Sequence, residues 1–387
     1  MTLPEHADVA VIGAGPAGCA AALALRRRGH SVALIDREPE NTVRFCGEFL
    51  SGESLAVLSS LGVGAQIDEL GGVTIRRLAL HGARGGRLGM ELLGGGRGLG
   101  RSALDSTLFR CVRERGAATA SATTVESLTG SPADGFEIDM RERGSDQSSR
   151  LRCRAVVGAW GRHSPLDAVL ERPFLARKSN WIGVKVQYDD ATLSDLVSLY
   201  LFRGGHCGFV SVENGGGTLA VLALRHALQE AGGRPLALVE SIVRQNGALA
   251  ERIGQARPRP GKLRAISRIP FLGKGPLAAD VFLAGDSAGL TAPFLGLGAT
   301  NALFGGAAAA EAVADWLEGG QSFEQAARSY ASWWRGRLGR IQRWSWAASR
   351  LLCEPLIGEP AVRTLGVFPA LGRSIYRRSR ASLTAIA

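Results

Sequence analysis

Short apolar runs, separated by glycine-containing turns, mark out the beginning of the chain. Val9, Val11 and Ile12 form one such run, and its composition suits a strand buried in a parallel sheet. An alanine- and leucine-rich stretch over 16–28 predicts a helix, and the next apolar run, 31–35, predicts a second strand. The order strand, helix, strand indicates a parallel βαβ unit and therefore an α/β fold.

A second group of apolar segments lies in the middle of the chain, where glycine and asparagine turns separate residues typical of strands. These segments cover 181–188, 198–202, 208–213 and 218–223. Their composition and spacing predict a sheet of several strands. The glycine-rich stretch 71–100 also alternates with apolar residues, as strands and turns would.

Two further helices are predicted towards the end of the chain. The alanine-rich stretch 299–316 forms one of them, and Trp334, Leu338 and Ile341 fall at helical spacing in the other. A chain of 387 residues is long for one simple core. Two interlocked domains are therefore expected.

The turn after the first strand, 13–18 (GAGPAG), has the spacing of a dinucleotide-binding fingerprint. Gly13 permits a tight turn, Gly15 lets the backbone approach a pyrophosphate, and Gly18 lets the helix pack close to the strand. The helix begins at Pro16, so the free N–H groups of its first turn face the phosphates.

An acid at the end of the second strand completes this fingerprint. Asp36 lies about 20 residues beyond the glycine turn, where such an acid accepts a hydrogen bond from a ribose hydroxyl. A carboxylate disfavours a 2′-phosphate at that position. The site therefore suits FAD or NAD rather than NADP.

Charge and cysteine content narrow the classes of function. The net charge is +11 at pH 7, but no zinc spacing, RNP motif or basic heptad region accompanies it, so no nucleic-acid partner is expected. The six cysteines form no CxxC pair, which predicts neither a metal site nor a dithiol redox pair. Cysteine usage suits a reducing compartment, and the N-terminus enters a strand without a signal peptide, so a cytoplasmic location is expected.

Four spaced motifs resemble those of flavoproteins with the para-hydroxybenzoate hydroxylase fold. They are the glycine turn, the R-x-x-L-D-x-x-L pattern within 100–108, the A-W-G-x-x-S sequence within 156–165, which resembles the family's A-D-G-x-x-S, and the segment 283–298 with its G-D-S-A-G and P-x-x-G-x-G sequences. This superfamily contains aromatic hydroxylases, geranylgeranyl reductases and flavin-dependent halogenases. The resemblance covers about residues 7–320 and implies that the nucleotide is FAD.

The resemblance also implies an architecture. A Rossmann-like FAD-binding domain of the three-layer GR2 type would carry an inserted β-sheet substrate domain and a C-terminal helical segment. The expected limits are 1–72, 98–172 and 276–320 for the FAD-binding domain, 73–97 and 173–275 for the substrate domain, and 321–387 for the helical cap.

The family's FAD contacts can be carried over to matching positions. Arg101 would lie near the pyrophosphate and ribityl chain, and Asp286 would bind a ribityl hydroxyl. The loop 293–298 would begin a helix whose N-terminus stabilises the anion of reduced flavin. The expected FAD contacts are Gly13, Gly15, Pro16, Ala17, Gly18, Asp36, Arg37, Cys46, Gly47, Arg101, Gly161, Gly285, Asp286, Pro293, Gly296, Leu297 and Gly298.

The segment Cys46-Gly47-Glu48 resembles a loop that lies near the flavin in geranylgeranyl reductases. Three interpretations of Cys46 stay open: packing beside the flavin, a part in substrate chemistry or proton delivery, and covalent attachment of the flavin. Glu48 is a candidate proton donor, or else it pairs with Arg44 or another arginine. Lys185 is a candidate for binding an acidic or phenolic substrate, or else it points to solvent.

The resemblance implies three candidate reactions on an apolar or aromatic small molecule. The first is monooxygenation of an aromatic or polyketide-like biosynthetic substrate, with O₂ activated as a C4a-(hydro)peroxyflavin and electrons supplied by NADH or NADPH. The second is hydride transfer from flavin N5 to an alkene, although 205–211 replaces the Y-x-W-x-F-P strand of polyprenyl-lipid reductases. The third is halogenation, although the W-x-W-x-I-P motif is absent.

Two features leave the partners open. Trp160 stands where the third family motif usually has an acid, so a separate reductase stays open as the electron source. The tail carries Trp333, Trp334, Trp344 and Trp346 among many arginines. This tail either packs over the pocket as a helix or presents a basic, aromatic face to a membrane or a carrier-bound substrate.

Overall fold

The computed structural model describes residues 3–40, 42, 44–271 and 273–380. The strands are β1 (His6–Ile12), β2 (Val32–Ile35), β3 (Phe49–Ser51), β4 (Val73–His81), β5 (Arg87–Gly98), β6 (Ala118–Ala120), β7 (Thr123–Ser131), β8 (Gly135–Glu142), β9 (Ser148–Gly158), β10 (Trp181–Asp189), β11 (Leu196–Phe202), β12 (Gly205–Ser211), β13 (Gly217–Leu224), β14 (Arg257–Pro258), β15 (Arg264–Ser267), β16 (Leu277–Ala278) and β17 (Val281–Leu283).

The helices are α1 (Pro16–Arg27), α2 (Gly52–Ser60), α3 (Gly64–Asp68), α4 (Arg101–Glu114), α5 (Leu166–Val169), α6 (Arg225–Glu230), α7 (Pro235–Gln245), α8 (Gly247–Ile253), α9 (Gly298–Leu317), α10 (Phe323–Gly336), α11 (Leu338–Leu352), α12 (Pro355–Val367) and α13 (Pro369–Arg380).

The first sheet is built on parallel strands in the order β6-β2-β1-β9-β17. Val9 pairs with Val32 on one side and with Ala155 on the other, so β1 lies inside the sheet and its apolar residues are buried. β7 and β8 extend the sheet through antiparallel pairing to β9, and β16 pairs with β17. The predicted α/β class with a parallel βαβ unit is confirmed.

The second sheet has the order β14-β10-β13-β12-β11-β4-β5-β3, with β15 also pairing with β10. Its strands are antiparallel except for the pair β11 and β4. The predicted strands around 181–223 all belong to this sheet. The sheet also takes in Phe49–Ser51, which pairs with β5 and lies within the range expected for the FAD-binding domain.

Close packing of α1 depends on two glycines, Gly18 where α1 meets the turn after β1 and Gly306 where α9 meets α1. A Cβ on Gly18 would lie 1.7 Å from the carbonyl oxygen of Gly13, and a Cβ on Gly306 would lie 2.0 Å from the carbonyl oxygen of Ala17. Both distances are far below van der Waals contact, so only glycine permits this approach. The packing brings the start of α9 close to the turn after β1.

The C-terminal helices brace the segment that leads into α9. The hydroxyl of Tyr330 donates to the carbonyl of Leu283 at 2.6 Å, and Nε2 of Gln342 donates to the carbonyl of Gly289 at 2.7 Å. Oγ of Ser345 accepts from the backbone N–H of Ala292 at 3.1 Å. The predicted helical cap thus packs on the fourth motif, and its residues 381–387 lie outside the described part of the chain.

The described residues contain no helix that is long and apolar enough to cross a membrane. They also contain no cluster of His, Cys, Asp or Glu side chains suited to a metal ion.

Gly306→Ala tests the packing of α1 on α9. We expect it to destabilise the fold by roughly 1–3 kcal/mol, since the added methyl group meets backbone that cannot move aside cheaply. The measurement is the midpoint of urea unfolding. Gly336→Ala is the control, because a Cβ there meets nothing within 4 Å. Equal midpoints for the two variants would contradict the packing argument.

Candidate active site

A cavity of about 520 Å³ lies between the two sheets. Most residues expected from the sequence to contact FAD or substrate line it. These are Gly13, Gly15, Pro16, Ala17, Asp36, Arg37, Cys46, Gly47, Glu48, Arg101, Gly161, Gly285, Asp286, Pro293, Gly296 and Gly298. Gly18, Leu297 and Lys185 do not line the cavity: Gly18 packs on Gly13, and the other two side chains are fully buried.

The glycine turn forms one end of the cavity. Gly13 has φ +107°, and a Cβ there would lie 2.3 Å from the carbonyl oxygen of Ala159, so this position requires glycine. A Cβ on Gly15 would meet only the end of the Arg44 side chain, at 3.9 Å. The backbone at Gly15 is therefore open to a ligand, and the first N–H groups of α1 lie beside it.

The carboxylate of Asp36 is oriented by two hydrogen bonds from groups beside the glycine turn. Its Oδ2 accepts from the backbone N–H of Ala14 at 2.5 Å and from Nη2 of Arg44 at 2.8 Å. Nε of Arg44 also lies 3.4 Å from the carboxylate of Asp105. Arg44 thus adds positive charge beside the glycine turn, a role that sequence reasoning missed because no motif surrounds this arginine.

Glu48 is buried with 2% of its surface exposed, and it is the centre of a hydrogen-bond network. Its carboxylate accepts from Nζ of Lys185 at 2.6 Å, from the backbone N–H of Arg101 at 2.9 Å, from the amide of Gln187 at 2.9 Å and from the hydroxyl of Thr218. Burial alone would raise the pKa of Glu48, but the charge and hydrogen bonds of Lys185 outweigh burial and lower that pKa.

Because of this network, Lys185 neither faces a substrate nor points to solvent, the two roles considered from the sequence. The Lys185 side chain is 0% exposed, so it does not point to solvent, and its amine contacts Glu48 rather than the cavity. Glu48 pairs with this lysine rather than with Arg44. Its backbone has φ +58°, in the left-handed region, which the surrounding hydrogen bonds hold in place.

Cys46 lies on the cavity wall beside Arg101. The Arg101 guanidinium donates to the carboxylate of Asp105 at 2.8 and 3.0 Å and also contacts the sulfur of Cys46. Burial opposes the charge of Arg101, but Asp105 and Cys46 together raise its pKa. The site therefore holds a fixed cation next to the only cysteine of the described chain that is not fully buried.

A second group of charges surrounds Asp286. Burial raises the pKa of Asp286, and the cations Arg162, Lys274 and Arg101 oppose that rise. Nζ of Lys274 donates to the carbonyls of Arg162 at 2.7 Å and Asp286 at 2.9 Å, and it lies 4.4 Å above the ring of Phe174. Lys274 thus joins the third and fourth motifs, and burial lowers its pKa to about 8. No motif or periodicity surrounds this lysine, so sequence reasoning missed it.

The start of α9 forms another wall of the cavity. Gly296 adopts the left-handed conformation with φ +65°, which allows the chain to turn into the helix. A Cβ on Gly298, the first residue of the helix, would meet nothing within 4 Å. The N-termini of α1 and α9 present open backbone to the same cavity that Asp36 and Asp286 line, which fits an elongated dinucleotide such as FAD.

Trp160, which replaces an acid of the family motif, also lines the cavity. Its Nε1 donates to Oδ1 of Asp167 at 3.2 Å, and Arg172 donates to the same oxygen at 2.9 Å. Arg172 further donates to the carbonyl of Ser287 at 2.7 Å. The indole is therefore fixed to the fourth motif through a buried ion pair.

The end of the cavity nearest the second sheet is mainly apolar. Its lining includes Phe209, Leu222, Phe271 and Phe294. His206 is the polar exception: it is 2% exposed, its Nδ1 lies 3.5 Å from Sγ of Cys353, and its Nε2 has no hydrogen-bond partner among the described residues. The cavity thus joins a charged half, which holds Asp36, Arg101 and Asp286, to a mainly apolar half.

Two curated proteins resemble this chain in sequence. A digeranylgeranylglycerophospholipid reductase of Methanopyrus kandleri is 25% identical over 361 residues, which are 90% of this chain and 87% of that protein. A squalene epoxidase of Aspergillus fumigatus is 44% identical over 59 residues, which are 15% of this chain and 12% of that protein. The names of these relatives cover both reduction and oxygenation.

A solved structure and a family model extend the comparison. The flavin-dependent brominase Bmp2 has the same fold, with a TM-score of 0.80 and 18% identity over 97% of this chain and 93% of that one. The model of the family described as FAD binding domain matches residues 6–332. The chain therefore belongs to the FAD binding domain family and is an FAD-dependent oxidoreductase.

Proposed function

We propose that this oxidoreductase is a monooxygenase that acts on an apolar, electron-rich small molecule, such as an aromatic or polyketide-like compound. The observation that carries the proposal is the combination of an apolar, aromatic half-cavity with a carboxylate, Glu48, that is held in an ion pair. Reduction of an alkene needs a proton donor at carbon, and an ionised Glu48 with a lowered pKa is a poor one.

The residues around the nucleotide end would hold FAD. N–H groups at the start of α1 and the side chain of Arg44 would lie against the pyrophosphate, Asp36 against a ribose and Asp286 against the ribityl chain. When bound, FAD supplies the two-electron chemistry and the reaction with O₂. The N-terminus of α9 stabilises negative charge near it.

The remaining residues control water and substrate position. The substrate end is kept free of water by apolar side chains, namely Phe209, Leu222, Phe271 and Phe294. Exclusion of water prevents side reactions during oxygen transfer. Trp160 is fixed by Asp167 and closes part of the wall. These residues orient and shield the substrate rather than react with it.

His206 supplies the polar contact to the substrate in this proposal. Burial lowers the pKa of His206 to about 4, so the ring is neutral at pH 7, and burial raises the pKa of the Cys353 thiol to about 12, so the thiol keeps its proton. The thiol then donates to Nδ1, which leaves Nε2–H as a donor. A substrate with a phenolic or carbonyl oxygen on an apolar body satisfies that donor.

One alternative has a specific observation in its favour. Hydride transfer to an alkene agrees with the name of the Methanopyrus kandleri relative, and Cys46 on the cavity wall is a candidate proton donor. Halogenation is supported only by the similarity in fold to the brominase. The identity of the electron source, whether NADH, NADPH or a separate reductase, is determined in the same experiments as the reaction type.

The reaction type can be tested with isotopically labelled O₂. We expect one labelled oxygen atom in the product for each O₂ consumed, with NADH and NADPH compared as donors and halide left out. Cys46→Ala should retain turnover to within about tenfold, since a monooxygenase needs no proton from this thiol. Anaerobic turnover of an alkene that Cys46→Ala abolishes would favour the reductase instead, and a halide requirement would favour the halogenase.

The role of His206 can be tested by comparing alkylphenols with the matching alkylbenzenes. The FAD-loaded enzyme should bind each phenol more tightly, and His206→Phe should reduce that preference by roughly 3- to 10-fold, the value of one hydrogen bond. Perturbation of flavin absorbance measures the affinity without turnover. Because the pKa of His206 is about 4, the preference should not change between about pH 6 and pH 8. An unchanged preference in His206→Phe would exclude the contact.

A further inference from the structure

The last two helices, α12 and α13, carry an apolar surface that the protein does not cover. Val367, Phe368, Leu371 and Ile375 are 72%, 61%, 49% and 53% exposed. We name these four residues the apolar ridge. Such clusters are uncommon on a surface that contacts only water, where large exposed apolar patches mark binding sites.

The ridge lies on the side of α13 that faces away from the protein. Gly372, Tyr376 and Arg380 follow one another at intervals of four residues and form the inner side: Gly372 and Arg380 are buried, and Tyr376 packs into an apolar cluster with Phe49. Leu371 and Ile375 also lie four residues apart, but on another side of the helix. The internal packing of α13 is thus complete without the ridge.

Positive charge surrounds the ridge. From residue 321 onward the sequence holds 11 arginines and three glutamates, and from residue 360 onward it holds no acid. Arg363, Arg373, Arg377 and Arg378 are all exposed in the described structure. Arg378 follows Leu371 by seven residues, so it lies on the same side of α13. A basic helix with an apolar outer side fits the surface of an anionic bilayer.

The same helix borders the cavity. Arg380 lines the cavity and is anchored by Glu53 at 2.8 Å and by the carbonyl of Leu295 at 3.0 Å. Tyr376 packs with Phe49 and Val210, which also line the cavity. α13 thus carries the ridge on its outer side, packs through Gly372 on Leu88 of β5, and reaches the cavity at Arg380.

We propose that α12 and α13 seat this enzyme on the surface of an anionic lipid bilayer, with the apolar ridge in the boundary between headgroups and acyl chains. The arginines contact the lipid phosphates, and an apolar substrate dissolved in the bilayer lies close to the cavity. This inference deepens the proposed function by naming the source of the substrate, and it rests on that function only for this last point.

The test is co-sedimentation of the full-length, FAD-loaded protein with vesicles of phosphatidylcholine alone or of phosphatidylcholine mixed with phosphatidylglycerol. We expect binding to the anionic vesicles that weakens as salt rises. Leu371→Ser with Ile375→Ser should reduce the partition coefficient roughly 10- to 30-fold. Arg377→Gln with Arg378→Gln should reduce it roughly 25-fold, about fivefold for each arginine.

The control variant is Leu193→Ser with Leu236→Ser, which removes two leucines that are 59% and 41% exposed elsewhere on the protein. It should bind vesicles as the unaltered protein does. Absence of binding to anionic vesicles, or binding that the ridge variant leaves unchanged, would overturn the proposal. Self-association in sedimentation velocity that the ridge variant abolishes, without vesicle binding, would instead assign the ridge to a second copy of the chain.

This test separates the two proposals because vesicle binding needs no turnover. If the protein incorporates labelled oxygen but does not bind vesicles, only the proposal of membrane binding is overturned. Vesicle binding by a protein that incorporates no oxygen would overturn only the monooxygenase.

Discussion

The buried ion pair between Glu48 and Lys185 joins the segment that precedes β3 to strand β10 of the same sheet, at the wall of the cavity. Lys185 lies on β10 of the second sheet, and Glu48 precedes β3 and also accepts from the backbone N–H of Arg101, the first residue of α4. An ion pair this deeply buried contributes little net stability. Removing one partner nevertheless leaves the other charge buried without a counter-ion, which lowers the free energy of unfolding by about 3–5 kcal/mol. The pair therefore fixes geometry more than it adds stability.

Several features of the site follow from that fixed point. Glu48 is held with φ +58°, which sets the direction of the segment that carries Cys46 and Gly47 along the cavity wall. The hydrogen bond from Arg101 ties the same segment to α4, whose Arg101 guanidinium contacts Cys46. Charged side chains surround the glycine turn, Arg101 and Asp286, whereas most side chains of the substrate half are aromatic or aliphatic.

Local sequence was sufficient to predict which residues line the charged half of the cavity. Only glycine satisfies the backbone at Gly13 and Gly18, and Gly15 leaves the backbone open to a ligand. Asp36 and Asp286 lie at fixed distances from such turns. Contacts between residues that are far apart in the chain produce no comparable pattern in the local sequence. Glu48 and Lys185 are 137 residues apart, and His206 and Cys353 are 147 residues apart. Their meeting depends on sheet register and on the docking of α11, which local patterns do not encode. The reaction type is equally absent from the motifs, because the motifs bind the cofactor and the substrate end varies.

If the Glu48–Lys185 pair shapes the flavin site, the two residues must be coupled in FAD affinity, which a double-mutant cycle measures. Glu48→Gln, Lys185→Met and the double variant would be compared by the fluorescence change when FAD binds. Each single variant should weaken FAD binding, and the double variant should recover much of the loss, with a coupling energy of about 0.5–3 kcal/mol. Unchanged FAD affinity in both single variants, or losses that simply add in the double variant, would contradict it.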